Sequence, residues 1–261
     1  MLQTESEYPS DLTEQQWEVI RQMIPMPRTG GRPRTTCMRS VINAIFYLNR
    51  SGCAWRYLPK GFPPWRTVYD YFHQWCKSGV WVKIHSFLVK LVRTSDGRSE
   101  EPSKIIIDAQ SVRAQYGESR GWDGHKKVRG RKRQVVVDSM GLLWGVHVHA
   151  ADQVDAKQAQ HAIEKYSNPK RVTQVLGDSA YGKSPFDVWL FVTRGLWPQT
   201  TGGKNESNLG KQRWVVERTL AWFNNFRRLN RDYERKTSHS EAFLFIAQLQ
   251  LLFNRIWPKP I

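Results

Sequence analysis

The sequence is short of negative charge. Its 261 residues include 23 aspartates and glutamates against 40 lysines and arginines, giving a formal net charge of +17 and an isoelectric point near 10.0. Such an imbalance is typical of proteins whose partner is a polyanion, above all nucleic acid. The length allows either one large core or a smaller core with an accessory domain.

Cysteine and long apolar runs are also scarce. The three cysteines, Cys37, Cys53 and Cys76, are odd in number and form no C-x-x-C pair. This excludes a disulfide framework or a cysteine-based zinc site and indicates free thiols in a reducing compartment. No apolar run approaches the ~18 residues of a membrane-spanning helix, and the N-terminus has no signal-peptide pattern. We therefore expect a soluble intracellular protein without a membrane partner.

The first part of the chain has helical periodicity and basic connections. Thr13 and Gln16 form a capping box that would begin the first helix. The GRPR sequence, with Arg32 and Arg34, resembles arginine hooks that enter the DNA minor groove, although a solvated basic linker has the same composition. The pattern favours a helix-turn-helix-like DNA-binding domain over a plain helical bundle. Helices are predicted at Leu12–Met23, Cys37–Ser51, Arg66–Lys77 and Val80–Val92.

A polar segment, Thr94–Ser103, separates this helical part from a strand-rich part, so the predicted domains are residues 1–98 and 99–261. The element order after the boundary, β-β-β-α-β-α-β-α, is that of a ribonuclease-H-like α/β domain with a mixed five-stranded sheet and flanking helices. Strands are predicted at Lys104–Ala114, Arg133–Asp138, Leu142–Ala151, Thr173–Ala180 and Leu196–Thr200. Helices are predicted at Asp155–Tyr166, Ser184–Arg194, Asn208–Arg228 and Glu241–Ile256.

Three acidic residues stand at notable places in this pattern. Asp108 ends the apolar run of the first strand, Asp178 ends a second apolar run, and Glu217 lies on a predicted helix. A carboxylate at the edge of a core needs a compensating partner, and a metal ion is one. Two strand-end aspartates and a helical glutamate can gather into a pocket for a pair of hard cations, which suits phosphodiester chemistry.

Other acidic and histidine residues have structural interpretations. Asp138 sits at the SMG hairpin turn and is assigned to turn formation. Asp152 and Asp155 precede a helix, where capping accounts for at least one of them. His147 and His149 alternate with valines on one strand and are interpreted as hydrogen-bonded sheet residues, with metal binding as the alternative.

A dense basic run flanks the strand nearest the predicted site. We interpret it as a surface for DNA phosphates, with a solvated charged surface as the alternative. The glutamate helix carries further basic residues on its outer face. Trp222, one turn beyond Glu217, could stack on a base or pack in the core. The predicted DNA contacts are Arg32, Arg34, Lys126, Lys127, Arg129, Arg131, Lys132, Arg133, Arg213, Arg218, Trp222, Arg227 and Arg228.

Several long motifs, in order along nearly the whole chain, resemble one family. They include DLTEQQWEVI, GRPR, SGCAWRYLP, FPPWRTVYDYFHQW, IIIDAQSV, KKVRGRKRQVVVDSMGLL, LGDSAYG and RWVVERTLAWFNNFRRL. The sequence is similar to DDE transposases of bacterial insertion sequences, in the branch named after insertion sequence five. Relatives often carry a Tyr-x2-Arg-x3-Glu-x6-Lys signature. Here Arg213 and Glu217 keep that spacing, whereas Gly210 replaces the tyrosine and Asn224 the lysine.

The resemblance implies that Asp108, Asp178 and Glu217 are the catalytic carboxylates and hold two Mg²⁺ ions, for which Mn²⁺ could substitute. Metal ions ~4 Å apart can activate the attacking oxygen and stabilise the leaving one. The implied reaction cuts double-stranded DNA at terminal inverted repeats and joins the freed 3′-hydroxyls to target DNA. Pairing two ends implies a homodimer or higher oligomer on DNA, and the family implies a bacterial cytoplasmic protein associated with the nucleoid.

Two other functions share some of these features. A ribonuclease-H-like nuclease of another kind, such as a junction resolvase, would carry the acidic triad without the remaining motifs. A non-catalytic DNA-binding protein derived from a transposase would retain the motifs, but loss of a carboxylate would be expected.

Overall fold

The computed structural model describes residues 7–27, 30, 33–165, 170–182, 185–200 and 206–258, with residues 206–211 described as backbone. The chain begins with helices, continues through a mixed sheet and ends with two long helices. The helices of the first part are α1 (Glu14–Ile20), α2 (Met38–Ser51), α3 (Trp65–Lys77) and α4 (Val80–Ser95).

Local signals in the sequence explain where the first helices begin and end. The Thr13 hydroxyl accepts a hydrogen bond from the Gln16 N–H, and the Gln16 side chain accepts one from the Thr13 N–H, which confirms the capping box. Helix α2 ends at Gly52, which has φ +73°, and a Cβ there would lie 2.9 Å from the Arg227 Cβ. Glycine is therefore required both for the left-handed turn and for this close approach.

The second part forms a six-stranded sheet in the described residues, rather than the predicted five-stranded one. The segment 115–131, predicted as a loop, contains β2 and the start of β3, because β3 continues beside the whole length of β1. Strand β3 pairs antiparallel with β1, β2 and β4, while β5 lies between β1 and β6 and is parallel to both. The strands are β1 (Lys104–Arg113), β2 (Gly121–Asp123), β3 (Val128–Asp138), β4 (Leu143–Ala150), β5 (Gln174–Gly177) and β6 (Pro198–Thr200).

The helices of the second part cover this sheet. Helix α7 contacts β1, β3 and β5, and α5 contacts β3 and β4. The predicted 208–228 helix ends earlier, at Phe223, and is followed by a 3-10 turn at Arg227–Leu229. This mixed sheet with flanking helices, preceded by a helical part, confirms the predicted ribonuclease-H-like α/β class. The helices are α5 (Asp155–Glu164), α6 (Pro185–Arg194), α7 (Glu206–Phe223) and α8 (Thr237–Ile256).

Helix α8 connects the two parts. On one side, the Glu241 Oε1 accepts the Val148 N–H at 3.0 Å and the Gln248 Oε1 accepts the Leu143 N–H at 2.6 Å, so two backbone donors of the edge strand β4 are paired. Helix α8 also contacts α2, α3 and α4. One buried apolar cluster therefore includes residues from both parts. The division at residues 98 and 99 remains a prediction. Among the described helices, none combines the length and the hydropathy needed to cross a bilayer.

Candidate functional site

Asp178 directly follows β5, whereas the expected strand end at Asp108 is wrong, because β1 continues beside β3 as far as Arg113. In the β1–β5 pairing Ile106 is opposite Leu176, and Asp108 and Asp178 each follow two residues later in the chain. Both aspartates therefore lie at matching positions just past the end of the β1–β5 pairing, at the carboxyl end of β5, where α/β sheets commonly bind ligands.

The Asp108 carboxylate is partly buried, in surroundings that disfavour its negative charge. Its Oδ1 accepts a hydrogen bond from the Ala109 N–H at 2.8 Å. Loss of hydration is the main cause that raises the pKa of Asp108 to about 6, and the negative charges of Asp178 and Glu217 raise it further. The Ala109 N–H and the Arg213 guanidinium act in the opposite direction. Asp178 and Glu217 thus both lie within electrostatic range of Asp108.

Asp178 is fixed by the turn that follows β5. It is the N-cap of a 3-10 turn over Ser179–Tyr181, and its Oδ1 accepts a hydrogen bond from the Ala180 N–H at 2.9 Å. The same residue thus ends the strand and orients its own carboxylate at the sheet edge.

Glu217 enters the site from α7 and is paired with an arginine of the same helix. The Arg213 Nη2 lies 3.4 Å from the Glu217 Oε1, at i,i+4 spacing, and the glutamate side chain is 55% exposed. Arg213, predicted as a DNA contact, is therefore also part of the carboxylate cluster. In the part of the chain that the structure describes, no three Asp, Glu, His or Cys side chains are grouped closely enough to hold a metal ion.

The competing acidic residues have structural roles. The Asp138 Oδ1 accepts the Met140 and Leu142 N–H groups at 2.8 and 3.0 Å, which confirms its role in the turn. Its Oδ2 pairs with Arg93 of α4. The prediction that Asp152 or Asp155 caps a helix is wrong for α5, because Val154 occupies the cap position, no side chain caps the helix, and Asp155 is its first residue. Its carboxylate instead pairs with the Lys132 Nζ at 3.0 Å.

The two strand histidines are hydrogen-bonded, as predicted. The His147 Nε2 lies 3.1 Å from the Gln158 Oε1, and the His149 Nδ1 lies 2.9 Å from the Ala150 carbonyl oxygen. Burial lowers the pKa of His149 to about 4, so its imidazole is neutral at pH 7.

The predicted basic run divides into exposed and buried residues. Lys126, Lys127 and Arg129 are exposed around the β2–β3 turn. For Arg131 and Arg133 the prediction of an accessible phosphate contact is wrong, because their side chains are 0% and 2% exposed.

Intramolecular acceptors explain this burial. Arg131 pairs with Asp232 at 3.1 Å, and Arg133 donates to the Leu229 carbonyl oxygen at 2.7 Å. The Lys132 Nζ is mostly buried and contacts Asp155 together with the carbonyl oxygen of Gln153.

The remaining predicted DNA contacts also differ in accessibility. Arg227 is exposed. For Arg228 the prediction of an accessible DNA contact is wrong, because its side chain is 6% exposed and pairs with Glu234 at 2.6 Å. Arg34 donates to the Pro25 carbonyl oxygen at 2.8 Å, and Arg32 lies outside the described residues.

An exposed aromatic and basic stripe runs along α7 beside Glu217. The Arg218 guanidinium lies 5.1 Å from the Trp214 ring and 4.6 Å from the Trp222 ring, and the two tryptophans are 55% and 37% exposed. Core packing is thus not the role of Trp222. Trp214 was missed in the sequence, although its spacing of four residues from Arg218 and eight from Trp222 indicates one helix face.

Comparison with known proteins identifies relatives for both parts of the chain. A family model described as "Transposase DDE domain" matches residues 99–252, and one described as "Putative transposase of IS4/5 family" matches residues 12–85. The "Putative transposase for insertion sequence element IS402" of Burkholderia cepacia is 42% identical over 138 residues, covering 49% of this chain and 64% of that protein.

Two further similarities are more limited. The "Uncharacterized protein y4sN" of Sinorhizobium fredii is 32% identical over 103 residues, covering 40% of this chain and 76% of that protein. A solved structure, the "Mos1 transposase paired-end complex with left transposon end", is 10% identical with a TM-score of 0.25. The alignment covers 87% of this chain and 80% of the Mos1 transposase chain. A TM-score this low does not indicate a common fold.

Proposed function

The chain belongs to the insertion-sequence DDE transposases, and on this premise we propose that it cuts the DNA at element ends and joins the freed 3′-hydroxyls to target DNA. The observation that carries the proposal is the arrangement of the carboxylates. Asp108 and Asp178 occupy equivalent places on adjacent parallel strands, and the charge of Glu217 on α7 contributes to the raised pKa of Asp108.

The donor set fits Mg²⁺ or Mn²⁺. Carboxylate oxygens are the ligands that these hard cations prefer. Burial of Asp108, and to a smaller extent the two nearby negative groups, raise its pKa, and a bound cation would offset this cost of its charge. When bound by Asp108, Asp178 and Glu217, two such ions would supply activation of the attacking oxygen and stabilisation of the leaving oxygen.

The residues of the chain have separate roles in this proposal. Asp108 lies within the electrostatic range of both other carboxylates and would hold the ions together with them. Asp178 would contribute an oxygen already oriented by the Ala180 N–H. Arg213 offsets part of the negative charge of Glu217 and Asp108, and an entering DNA phosphate is a further anion for its guanidinium.

DNA contacts are proposed at the accessible charged and aromatic residues near this edge. The stripe of Trp214, Arg218 and Trp222 combines two exposed indole faces with a guanidinium, a combination that suits stacking on bases. The exposed residues Lys126, Lys127, Arg129 and Arg227 suit phosphates. The proposed partner is double-stranded DNA that carries the terminal inverted repeats, bound by a homodimer or higher oligomer.

The test uses the DNA that flanks the reading frame, where the inverted repeats of an insertion sequence lie. We expect the protein with Mg²⁺ to cut these ends and join them to a plasmid. Asp108→Ala and Glu217→Ala should each lower cleavage by about three orders of magnitude or more, with end binding retained, because binding uses other surfaces. Glu100→Ala, an exposed residue of a surface ion pair, is the matched control.

The outcomes separate the alternatives. Cleavage without joining would favour a nuclease of the resolvase type, and end binding without cleavage a non-catalytic transposase derivative. Normal cleavage by Asp108→Ala or Glu217→Ala would refute the proposed site.

A further inference from the structure

A hydrogen bond between two buried side chains spans strand β1 beside the proposed site. The Gln134 Nε2 donates to the Tyr181 hydroxyl at 2.6 Å, and the two side chains are 0% and 1% exposed. Gln134 lies on β3, whereas Tyr181 follows β5, and β1 runs between these two strands. The bond therefore connects the strands on either side of the one that carries Asp108.

The position of this bond along β1 is defined by the strand register. Gln134 pairs directly with Ala109, the residue after Asp108. Directly paired residues of antiparallel strands present their side chains on the same face. The bond from Gln134 to Tyr181 thus passes over the strand at Ala109, whose side chain is a single methyl group and whose N–H holds the Asp108 carboxylate.

The ring of Tyr181 is also seated against the residue before Asp178. A Cβ at Gly177 would lie 2.7 Å from the Tyr181 Cδ2, so the ring rests directly on the backbone of Gly177. The Phe186 ring packs edge-on against it at 6.0 Å between centroids. Because Asp178 lies between Gly177 and the turn that ends at Tyr181, the position of the tyrosine restricts the backbone on both sides of this aspartate.

The surroundings of the phenol connect it electrostatically with the carboxylates. Burial raises the pKa of Tyr181 well above its usual value, and the charges of Asp155, Asp108 and Asp178 raise it further. The hydroxyl is therefore protonated and close to the acidic edge of the sheet. Simple packing would be served equally well by phenylalanine, which has no hydroxyl to bury.

We propose that Tyr181 and Gln134 form a clamp across β1 that sets the position of Asp178 relative to Asp108 for metal binding. The inference rests on the proposed function, and it makes Tyr181 and Gln134 positioning residues that do not contact the DNA. Residues that orient metal ligands affect metal affinity by about 10- to 100-fold.

The test measures Mn²⁺ binding to the full chain without DNA, by the electron paramagnetic resonance signal of free Mn²⁺. Tyr181→Phe keeps the ring and removes the hydroxyl, and Gln134→Leu removes the other partner. Each should weaken Mn²⁺ binding about 10-fold or more. The double variant should be no weaker than the weaker single variant, because both changes break the same bond. Tyr116→Phe, at a tyrosine that is 55% exposed, is the matched control and should bind normally.

Two companion measurements distinguish a clamp from general damage. Binding to element-end DNA should be unchanged in Tyr181→Phe, whereas a merely structural defect would weaken Mn²⁺ and DNA binding together and overturn the proposal. If Tyr181→Phe does not fold, Gln134→Leu decides by the same criteria, and failure of both to fold would show a structural role and overturn it.

Asp108→Asn separates this inference from the proposed function. If Asp108→Asn loses Mn²⁺ binding while Tyr181→Phe and Gln134→Leu retain it, the clamp is wrong and the carboxylate site stands. If Asp108→Asn also retains Mn²⁺ binding, the carboxylate site is wrong as well.

Discussion

Two groups of charged residues in this protein are built in opposite ways. The carboxylate site, Asp108, Asp178 and Glu217 with Arg213, places three negative groups near one guanidinium. The buried ion-pair network, Arg131 with Asp232 and Arg228 with Glu234, matches each positive side chain with one negative partner. Charge balance therefore distinguishes a site that can accept a cation from a network that stabilises the fold.

The hydrogen bonds of the two groups show the same difference. Around Arg131, the guanidinium donates to the Asp232 carboxylate, the Ser240 hydroxyl and the carbonyl oxygens of Glu118, Glu234 and Arg235. At the carboxylate site, Asp108 and Asp178 accept backbone N–H bonds that orient them without cancelling their charge. The network is balanced within the protein, whereas the site has an excess of negative charge.

The largest expected effect comes from breaking the network. Asp232→Ala should lower the free energy of unfolding by about 3–5 kcal/mol, because it leaves the fully buried Arg131 without its counter-charge. Urea denaturation followed by circular dichroism measures the change. Asp96→Ala, which removes a surface partner of Arg255, should cost less than about 1 kcal/mol. A similar small loss for both variants would contradict the distinction between the two groups.

At the carboxylate site, removal of a negative charge should instead raise the free energy of unfolding. Asp108→Asn should stabilise the metal-free protein at pH 8 by about 1–3 kcal/mol, since the rise of the Asp108 pKa from 3.8 to about 6 is the cost of its charge in the folded state. A raised carboxyl pKa means that the folded state binds more protons than the unfolded state between pH 3.8 and about 6. Wild-type stability from this group therefore falls as the pH rises through that window.

The pH dependence provides the control for this prediction. Below pH 3.8 the carboxyl is protonated in both states, so the advantage of Asp108→Asn should disappear. Urea denaturation of the two proteins at pH 3.5 and pH 8 gives the comparison. A variant that is less stable than the wild type at pH 8 would show that Asp108 holds the fold together, as Asp232 does.

The sequence was sufficient to predict the position of the acidic groups. An apolar run closed by an aspartate defines a strand that leaves the core, and two such runs in an α/β order place their ends at one edge. Asp108 and Asp178 do lie at matching positions past the last β1–β5 pair, although β1 itself continues to Arg113. The turn role of Asp138 was also predictable, because the hairpin signal is local. The pairing of Glu217 with Arg213 was not predicted, although the i,i+4 spacing of the two residues on one helix is a local signal.

The sequence was insufficient to distinguish Arg131 and Arg133 from their exposed neighbours. They lie in one basic run with Lys126 and Arg129. Because the run is so rich in charged residues, it lacks the alternation of apolar and polar residues that would have indicated strand β3. Their acceptors, at Asp232 and Leu229, are about a hundred positions further along the chain. The distinction depends on long-range contacts, for which a local charge pattern contains no signal.

A smaller effect should come from adding a cation to the carboxylate site. Mg²⁺ or Mn²⁺ at ten times its dissociation constant should raise the free energy of unfolding by about 1.4 kcal/mol, because it binds the folded state alone. Thermal melting with increasing metal measures this. Asp108→Asn should abolish the stabilisation, whereas Asp232→Asn should retain it. Equal stabilisation of wild type and Asp108→Asn would place the metal elsewhere.

The smallest expected effect concerns the basic run itself. Lys126→Ala, Lys127→Ala and Arg129→Ala should each reduce the slope of log affinity against log salt for duplex DNA by about 0.9, if each side chain neutralises one phosphate. Lys132→Ala is the matched control from the same run, because its Nζ is already paired with Asp155. Fluorescence anisotropy between 50 and 200 mM salt gives the slopes. An equal reduction in the control would show that burial and pairing do not decide which charges of this run meet DNA.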